Sequence, residues 1–220
     1  KSQIKYMKKL NIGGLEISVP IIQGGMGVGI SLSGLAAAVA NMGGVGVIAT
    51  VGIGFLSKNR VQKNYRQVNI EMLQDQIRKA RQQTKGVLGV NIMVALTNFA
   101  DMVKTSIEEG IDIIFSGAGL PLDLPKYLKK DSKTKLVPIV SSARAASLIS
   151  NKWKNNFDYL PDAIVVEGPK AGGHLGFKAE HIPNEKYQLE ELVPQVLEET
   201  KKIKEKYGVE IPVIAAGGIY

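Results

Sequence analysis

The chain has 220 residues, of which 45% are hydrophobic and 22% charged, and its formal net charge is +8. This length and composition fit one globular domain with a sizeable core, so we expect a single domain over residues 1–220. The chain contains no cysteine, which excludes disulfides, thiolate metal sites and a cysteine nucleophile within it.

Seven short apolar runs, rich in valine and isoleucine, predict the strands of a buried parallel sheet. In chain order they are 20–23, 45–49, 87–94, 111–115, 136–140, 163–166 and 212–216. The segments between them predict helices over 32–42, 69–84, 98–109, 144–156 and 188–207. Strands that alternate with helices indicate a parallel α/β fold.

The segment from Ile17 to Ser57 has no charged residue, but proline, glycine and polar residues interrupt it repeatedly. It therefore lacks the run of about 20 apolar residues that a membrane span needs. We expect a buried strand–helix–strand unit instead, with Ser31 as the helix N-cap. The helix is rich in alanine and glycine and is expected to pack very close to the sheet. The polar stretch 58–66 follows as an insertion, and the sequence does not indicate its role.

The positive charge lies mainly on predicted helix surfaces, as in Lys201, Lys202, Lys204 and Lys206, where glutamates are interleaved. Such a pattern is typical of a solvated helix face. Aromatic residues make up only 6% of the chain, and they do not alternate with basic residues as a single-strand binding platform requires. We therefore expect neither a nucleic acid nor a membrane as partner. The absence of cysteine fits a reducing compartment, and we expect a cytoplasmic protein.

Clusters of small residues follow four of the predicted strands, at 24–27, 116–119, 171–173 and 215–218. An open doubly wound sheet would place one phosphate loop after its first strand, whereas a (β/α)8 barrel spreads functional loops over many strand ends. The distribution therefore favours a (β/α)8 TIM barrel whose mouth holds an extended ligand. Because the seventh predicted strand ends four residues before Tyr220, we expect a barrel truncated after that strand and a longer parent protein.

The stretch from Glu167 to Phe177 follows a buried strand and holds His174, one of the two histidines of the chain. Glycines let a backbone approach a ligand closely, and an imidazole beside them suggests chemistry next to a cofactor. The alternative is a glycine-rich turn with a solvated histidine. The second histidine, His181, lies in a polar stretch and is expected to be an ordinary surface residue.

Five motifs that occur in order resemble the nitronate monooxygenase family, formerly called 2-nitropropane dioxygenases. The motifs are Pro20–Gly27, Gly89–Asn91, Ser116–Gly119, Glu167 with Ala171–His174, and Ala215–Ile219. The flavin-dependent enoyl-acyl-carrier-protein reductases share the pattern. The resemblance runs from about Leu10 to Tyr220 and implies a (β/α)8 barrel that binds FMN, with a lid region that this chain does not contain.

The resemblance implies that FMN is bound by Gly24, Gly25, Met26, Asn91, Ser116, Gly117, Ala118, Glu167, Ala171, Gly172, Gly173, Ala216, Gly217 and Gly218. On physical grounds, residues 24–26 offer flat backbone contact to the ring, and Asn91 and Glu167 can hydrogen-bond its polar edge. The N–H groups of residues 217–218 suit a phosphate if a helix follows. Simple turns at Asn91 and 217–218, and close strand packing at 116–118, remain the alternatives.

In the family, the histidine of this motif acts as a base or as a partner of the anionic substrate, which implies that His174 is the catalytic residue. Lys170 stands where the family usually has an acidic residue, and either adds positive potential for an anionic substrate or points to solvent. No cluster of histidine and carboxylate residues has metal-ligand spacing, so we expect no metal.

Three functions remain open. The first is oxidation of alkyl nitronates, or nitroalkanes, with oxygen through FMN. The second is reduction of an enoyl thioester through FMN with a nicotinamide donor. The third, from another class, is a non-catalytic flavin-binding fragment. A purine-nucleotide dehydrogenase is excluded because that chemistry needs a cysteine nucleophile. For the oligomeric state, a homodimer is left open as one alternative.

Overall fold

The computed structural model describes residues 8–58, 64–174 and 176–219. Its strands are β1 Leu10–Ile12, β2 Leu15–Ile17, β3 Gly46–Ala49, β4 Leu88–Met93, β5 Ile113–Gly117, β6 Lys135–Val140, β7 Ile164–Glu167 and β8 Val213–Ala216. Its α-helices are α1 Ser33–Asn41, α2 Tyr65–Gln83, α3 Phe99–Glu108, α4 Ala143–Phe157 and α5 Leu189–Tyr207. Short 3₁₀ helices cover Ile53–Leu56, Leu124–Tyr127, Ala179–His181 and Glu185–Tyr187.

The strands β3 to β8 are hydrogen-bonded neighbours in chain order within one sheet. β3 pairs with β4 in parallel, β6 with β7, and β7 with β8. All residues of β3 and β5 are buried, as expected for strands that are covered on both faces. The predicted parallel α/β alternation is therefore confirmed, and the carboxyl ends of β3 and β4, and likewise those of β6, β7 and β8, lie next to one another.

The chain divides into two compact units. The first unit comprises Lys1–Phe115 and Tyr127–Lys135, and the second comprises Ser116–Lys126 and Leu136–Tyr220. The first therefore contains β1 to β4 with α1 to α3, and the second contains β6 to β8 with α4 and α5, apart from Lys135 at the start of β6. The expectation of one domain over residues 1–220 stays a prediction.

The predicted first strand of the parallel sheet, 20–23, is wrong as a strand. Only one parallel bridge forms there, between Ile22 and Val45. The chain turns away at Gly24, and the Gln23 side chain takes over the pairing. Its Nε2 donates to the Val47 carbonyl oxygen at 2.9 Å, and its Oε1 accepts from the Val47 N–H at 3.2 Å. A side-chain amide thus replaces one residue of strand pairing.

A two-residue hairpin that the sequence analysis missed precedes the sheet. β1 and β2 pair antiparallel, and Gly13 and Gly14 join them with φ of +54° and +92°. Two positive φ angles are the signature of the hairpin turns that need glycine. The signal was present in the sequence, because Gly-Gly stands between two runs of alternating apolar residues.

The uncharged segment from Ile17 to Ser57 forms α1 and β3, as expected for a buried unit. The expected close packing of α1 is confirmed, because a Cβ atom at Gly46 would lie 1.8 Å from the Ala36 carbonyl oxygen. In the ranges that the structure describes, no helix is both long enough and apolar enough to span a membrane.

The polar insertion predicted at 58–66 lies partly outside the described residues, which omit 59–63. Its last residues start a helix instead. The Asn64 side chain accepts a hydrogen bond from the Arg66 N–H at 2.8 Å and caps α2, which begins at Tyr65 rather than at Asn69. The other four helices agree with their predicted ranges to within one residue at each end.

Two aspartates in corresponding positions fix the starts of the strands. Asp112 directly precedes β5, and its Oδ2 accepts from the Leu88 N–H at the start of β4 at 2.8 Å. Asp162 precedes β7, and its Oδ2 accepts from the Leu136 N–H in β6 at 2.8 Å. Each carboxylate therefore satisfies a backbone donor at the amino end of the neighbouring strand, opposite the end that carries the candidate site.

Candidate functional site

In the first unit, the loop after the Ile22 bridge is fixed by the Ser31 hydroxyl. This oxygen accepts from Gln23 Nε2 at 2.9 Å and from the Met26 N–H at 3.0 Å. The expected role of Ser31 as helix N-cap is wrong, because the N-cap of α1 is Leu32, without a side-chain cap bond. Ser31 instead holds residues 24–26 at the carboxyl end of the sheet.

Gly25 and Asn91, both predicted to be site residues, lie in contact within the first unit. A Cβ atom at Gly25 would lie 2.5 Å from the Asn91 Cβ and 2.7 Å from its Cγ. Gly24, by contrast, is exposed, and a Cβ atom there would meet nothing within 4 Å. Residues 24–26 therefore present backbone directly beside the Asn91 side chain, with open space over Gly24.

The same loop contains a strained residue that the sequence analysis did not single out. Val28 has φ of +53°, which is rare for a β-branched residue, and its side chain is 66% exposed. Its N–H donates to the Val51 carbonyl oxygen at 2.8 Å. Backbone strain of this kind clusters at functional sites. No residue type at this position signals it, so the sequence alone does not reveal it.

In the second unit, a cavity of about 270 Å³ lies at the carboxyl ends of the strands. Loops after β5, β6 and β7 supply its lining, which includes Ala118, Leu120, Ser141, Glu167, His174 and Gly176. Three predicted site residues, Ala118, Glu167 and His174, are thus brought together here. Ser141 was missed, although its position directly after a predicted buried strand was a signal for it.

Glu167 is the last residue of β7 and is half-buried in the cavity wall. Its side chain has no hydrogen bond or ion pair with any residue that the structure describes. Burial raises the pKa of the Glu167 carboxyl above its usual value, and no nearby positive charge opposes this rise. The group is therefore a polar side chain without a protein partner, directed to a ligand-sized space.

His174 is exposed at the edge of this cavity, on a loop with little side-chain bulk. Cβ atoms at Gly172 and Gly173 would meet nothing within 4 Å, so the loop backbone faces open space. Beyond the undescribed Leu175, a Cβ atom at Gly176 would lie 2.4 Å from the Ser141 Oγ. The histidine loop is therefore packed against the end of β6.

The ends of β7 and β8 pack together through glycine. The Gly168 N–H donates to the Ala216 carbonyl oxygen at 2.9 Å. Gly217 has φ of +95°, and a Cβ atom there would lie 2.9 Å from the Ala171 nitrogen and 3.0 Å from the Gly168 oxygen. Gly218 has φ of +79°. Predicted site residues from two loops therefore adjoin one another in the second unit.

Ser116 and Gly117 take part in close strand packing, which is the alternative that the sequence left open. A Cβ atom at Gly117 would lie 2.9 Å from the Ile139 Cβ in β6. The Ser116 side chain is fully buried, and its Oγ has no hydrogen-bond partner among the described residues. A role for either residue in cofactor binding stays a prediction.

The second histidine has a structural environment of its own. The His181 ring stacks on Tyr187 with centroids 4.1 Å apart and an interplanar angle of 17°. Across the described ranges, no three histidine, aspartate or glutamate side chains are grouped so that they could hold a metal ion. The candidate chemistry of the second unit therefore rests on Glu167 and His174.

Comparisons with known proteins identify the family of this chain. The nitronate monooxygenase family model matches residues 8–220. A Mycobacterium tuberculosis protein, (3aS,4S,5R,7aS)-5-hydroxy-7a-methyl-1-oxo-octahydro-1H-indene-4-carboxyl-CoA dehydrogenase, is 28% identical over 94% of this chain and 47% of its own length. A probable nitronate monooxygenase of Staphylococcus aureus is 29% identical over 93% of this chain and 59% of its own.

Among solved structures, FabK from Thermotoga maritima is 32% identical, with a TM-score of 0.65 over 91% of this chain and 51% of that one. The predicted fold class, α/β of the (β/α)8 TIM-barrel type, is confirmed. The chain spans about half the length of the relatives it matches.

Proposed function

The chain belongs to the nitronate monooxygenase family, and on that premise we propose that its protein is an FMN-dependent oxidoreductase that oxidises alkyl nitronates with oxygen. The observation that carries the proposal is the joint position of Glu167 and His174 on one cavity of about 270 Å³. Such a cavity suits a small organic substrate, with a titratable imidazole at its edge and an unpaired carboxyl in its wall.

The residues of the second unit fit a flavin. A flavin has a flat ring with a polar edge, and its FMN form also carries a phosphate. The open backbone at Gly172 and Gly173 leaves room for a flat ring, and the unpaired Glu167 offers the polar edge a partner. Gly217 and Gly218, both at positive φ, would present backbone N–H groups to the phosphate.

The first unit also contains residues predicted to bind the flavin ring. Its exposed Gly24 leaves backbone accessible, and Asn91 supplies both amide donors and an acceptor beside it. Gly25 lets the two come together, since any side chain there would overlap Asn91. These features support a ring-binding role for residues 24–26 and Asn91, which stays part of the proposal.

Bound FMN would supply two-electron chemistry, taking electrons from the substrate and passing them to oxygen. The chain's own residues would position the substrate and move its proton. The His174 imidazole would accept the proton from the carbon that bears the nitro group, so that a C–H bond breaks, an N–H bond forms and the nitronate anion remains. The imidazolium then stabilises that anion. Apolar walls, including Leu120 and Ile139, would hold its alkyl chain.

Reduction of an enoyl thioester is the second candidate. The M. tuberculosis relative is named for a carboxyl-CoA substrate, which is a thioester, and FabK shares 32% identity with this chain. Under this candidate the same cavity would hold the reacting carbons, and His174 would lie beside the thioester. The two candidates therefore share their cofactor and differ in the substrate that exchanges electrons with it.

The test uses the full-length protein purified with its cofactor and begins with its absorption spectrum. Flavin bands and oxygen-dependent consumption of an alkyl nitronate are expected. Because the chain has two histidines, His181→Gln is a matched control for His174→Gln. With the neutral nitroalkane as substrate, from which His174 would remove a proton, we expect His174→Gln to lower turnover by about 100-fold or more, within the range of general acid–base catalysis, and His181→Gln to leave it unchanged.

Three results would contradict the proposal in different ways. A colourless full-length protein that cannot be reconstituted with FMN would refute flavin binding. Equal loss of activity in both histidine variants would refute the role of His174. Anaerobic oxidation of the reduced flavin by crotonyl thioester, without nitronate consumption, would favour the enoyl reductase. A homodimer and a cytoplasmic location stay predictions.

A further inference from the structure

The Lys170 side chain lies across Gly218 in the second unit. A Cβ atom at Gly218 would lie 2.9 Å from the Lys170 Cβ and 3.1 Å from its Cδ. The aliphatic part of the lysine therefore lies against Gly218, the second of the two glycines that follow β8. Long charged side chains often bury their stems in this way while the amine stays in water.

The Lys170 amine has no ion pair among the residues that the structure describes. Glu185, Glu190 and Glu191 line an open cavity of about 530 Å³ together with Lys170, and Lys170 is the one cation of that lining. Among these charged groups, the lysine amine is the one that attracts an anion.

We propose that Lys170 pairs with the phosphate of FMN bound at Gly217 and Gly218. The proposal deepens the proposed function and rests on it, since it requires a bound flavin. Two consecutive glycines at positive φ can direct N–H groups at a phosphate, but N–H groups carry no net charge. Lys170, held over Gly218 by its stem, supplies that charge.

The experiment compares FMN with riboflavin, which has the same ring and no phosphate. Affinities of the full-length apoprotein for both flavins are measured by fluorescence quenching. Lys170→Met keeps the stem and removes the charge, and Lys201→Met makes the same change in net charge on the exposed face of α5. We expect Lys170→Met to weaken FMN binding about fivefold, the upper range for one exposed ion pair, and to leave riboflavin binding unchanged.

A second readout is the dependence on salt. Because an exposed ion pair is screened, the difference between wild type and Lys170→Met should shrink as ionic strength rises. Inorganic phosphate should compete with FMN more weakly in Lys170→Met than in Lys201→Met. Retained melting temperatures in both variants would exclude a folding defect as the cause.

The possible results separate this inference from the proposed function. Equal weakening of FMN and riboflavin by Lys170→Met, or equal effects of the two lysine variants, would overturn the role of Lys170 while flavin binding stands. If the wild-type protein binds neither flavin, the proposed function itself fails. Tighter FMN binding in Lys170→Met would show that the lysine weakens FMN binding in the wild type, which would also overturn the proposed role.

Discussion

Gly25 and Asn91 are in such close contact that no side chain can stand between them, because a Cβ at Gly25 would lie 2.5 Å from the Asn91 Cβ. We therefore expect Gly25→Ala to destabilise the protein by about 1–3 kcal/mol, the usual cost of overpacking, and to weaken FMN binding. Gly24→Ala is the matched control for stability, since a Cβ there meets nothing within 4 Å. Urea unfolding measures the first effect, and flavin titration of Gly25→Ala against the wild type measures the second.

The double variant Gly25→Ala with Asn91→Gly tests the cause. Because the nearest overlap is with the Asn91 Cβ, only its removal should recover stability, whereas Asn91→Ala should not. Equal stability of Gly24→Ala and Gly25→Ala would show that the loop moves freely away from Asn91.

A second prediction concerns the contact between α1 and β3. A Cβ atom at Gly46 would lie 1.8 Å from the Ala36 carbonyl oxygen, a backbone atom that cannot rotate away. We expect Gly46→Ala to cost about 3 kcal/mol or more, at the upper end for overpacking. Gly34 lies within α1 with open space around it, so Gly34→Ala should stabilise the protein by about 0.5–1 kcal/mol. Thermal unfolding of both variants measures these two changes in stability. A Gly46→Ala variant as stable as the wild type would contradict the close packing of α1 against β3.

A third prediction uses the buried carboxyl of Glu167. Its folded-state pKa lies above its ordinary value of 4.5, so the folded protein binds the Glu167 proton more tightly than the unfolded chain does. Stability contributed by this group is therefore lost as pH rises from about 4.5 through the raised pKa. Glu167→Gln carries no titrating proton and should gain stability over the wild type at pH 7 relative to pH 4.

Melting temperatures of the flavin-free protein at the two pH values measure this gain. Glu198→Gln removes an exposed carboxylate from α5 and serves as control. A difference between Glu167→Gln and wild type that is the same at pH 4 and pH 7 would contradict the burial of this carboxyl.

A fourth prediction concerns the amino end of the strands. Asp162→Ala would leave the Leu136 N–H and the Tyr159 hydroxyl without their shared acceptor. Burial and the neighbouring Asp162 raise the pKa of the Tyr159 hydroxyl, so this group stays a donor. Losing the acceptor for partly buried donors should cost about 2–4 kcal/mol.

Asp131→Ala is the control for this experiment, because it removes the same charge from an exposed residue. Urea unfolding should separate the two variants clearly. If both variants unfold at the same urea concentration, the hydrogen bonds that Asp162 accepts from Leu136 and Tyr159 make no net contribution to stability.

The sequence was sufficient to predict how the site residues group within the second unit. Ala118 is far from Glu167 and His174 in the chain, but it follows one predicted parallel strand and they follow another. Because parallel strands end at the same edge, their loops line one cavity. The period of the apolar runs and the positions of the glycines carry this information.

The sequence did not predict two hydrogen-bonding roles, in which a side chain takes the place that a backbone group or a helix cap was expected to fill. Gln23 reads as part of a strand, yet its amide performs the pairing itself. Ser31 reads as a helix cap, yet its hydroxyl holds Met26. Residue type shows that these groups can form hydrogen bonds, but a partner 24 residues away, as for Gln23 and Val47, is fixed only by the folded chain.

The Gln23 side chain has a further consequence for the edge of the sheet. β3 is the first strand in the sheet order, and an end strand exposes donors and acceptors that can recruit a strand from another molecule. At Val47 both groups are already occupied by one amide. Gln23 therefore closes this edge of β3 at Val47, and because its Nε2 also donates to the Ser31 hydroxyl that holds Met26, its loss would disturb the strand edge and the loop 24–26 together.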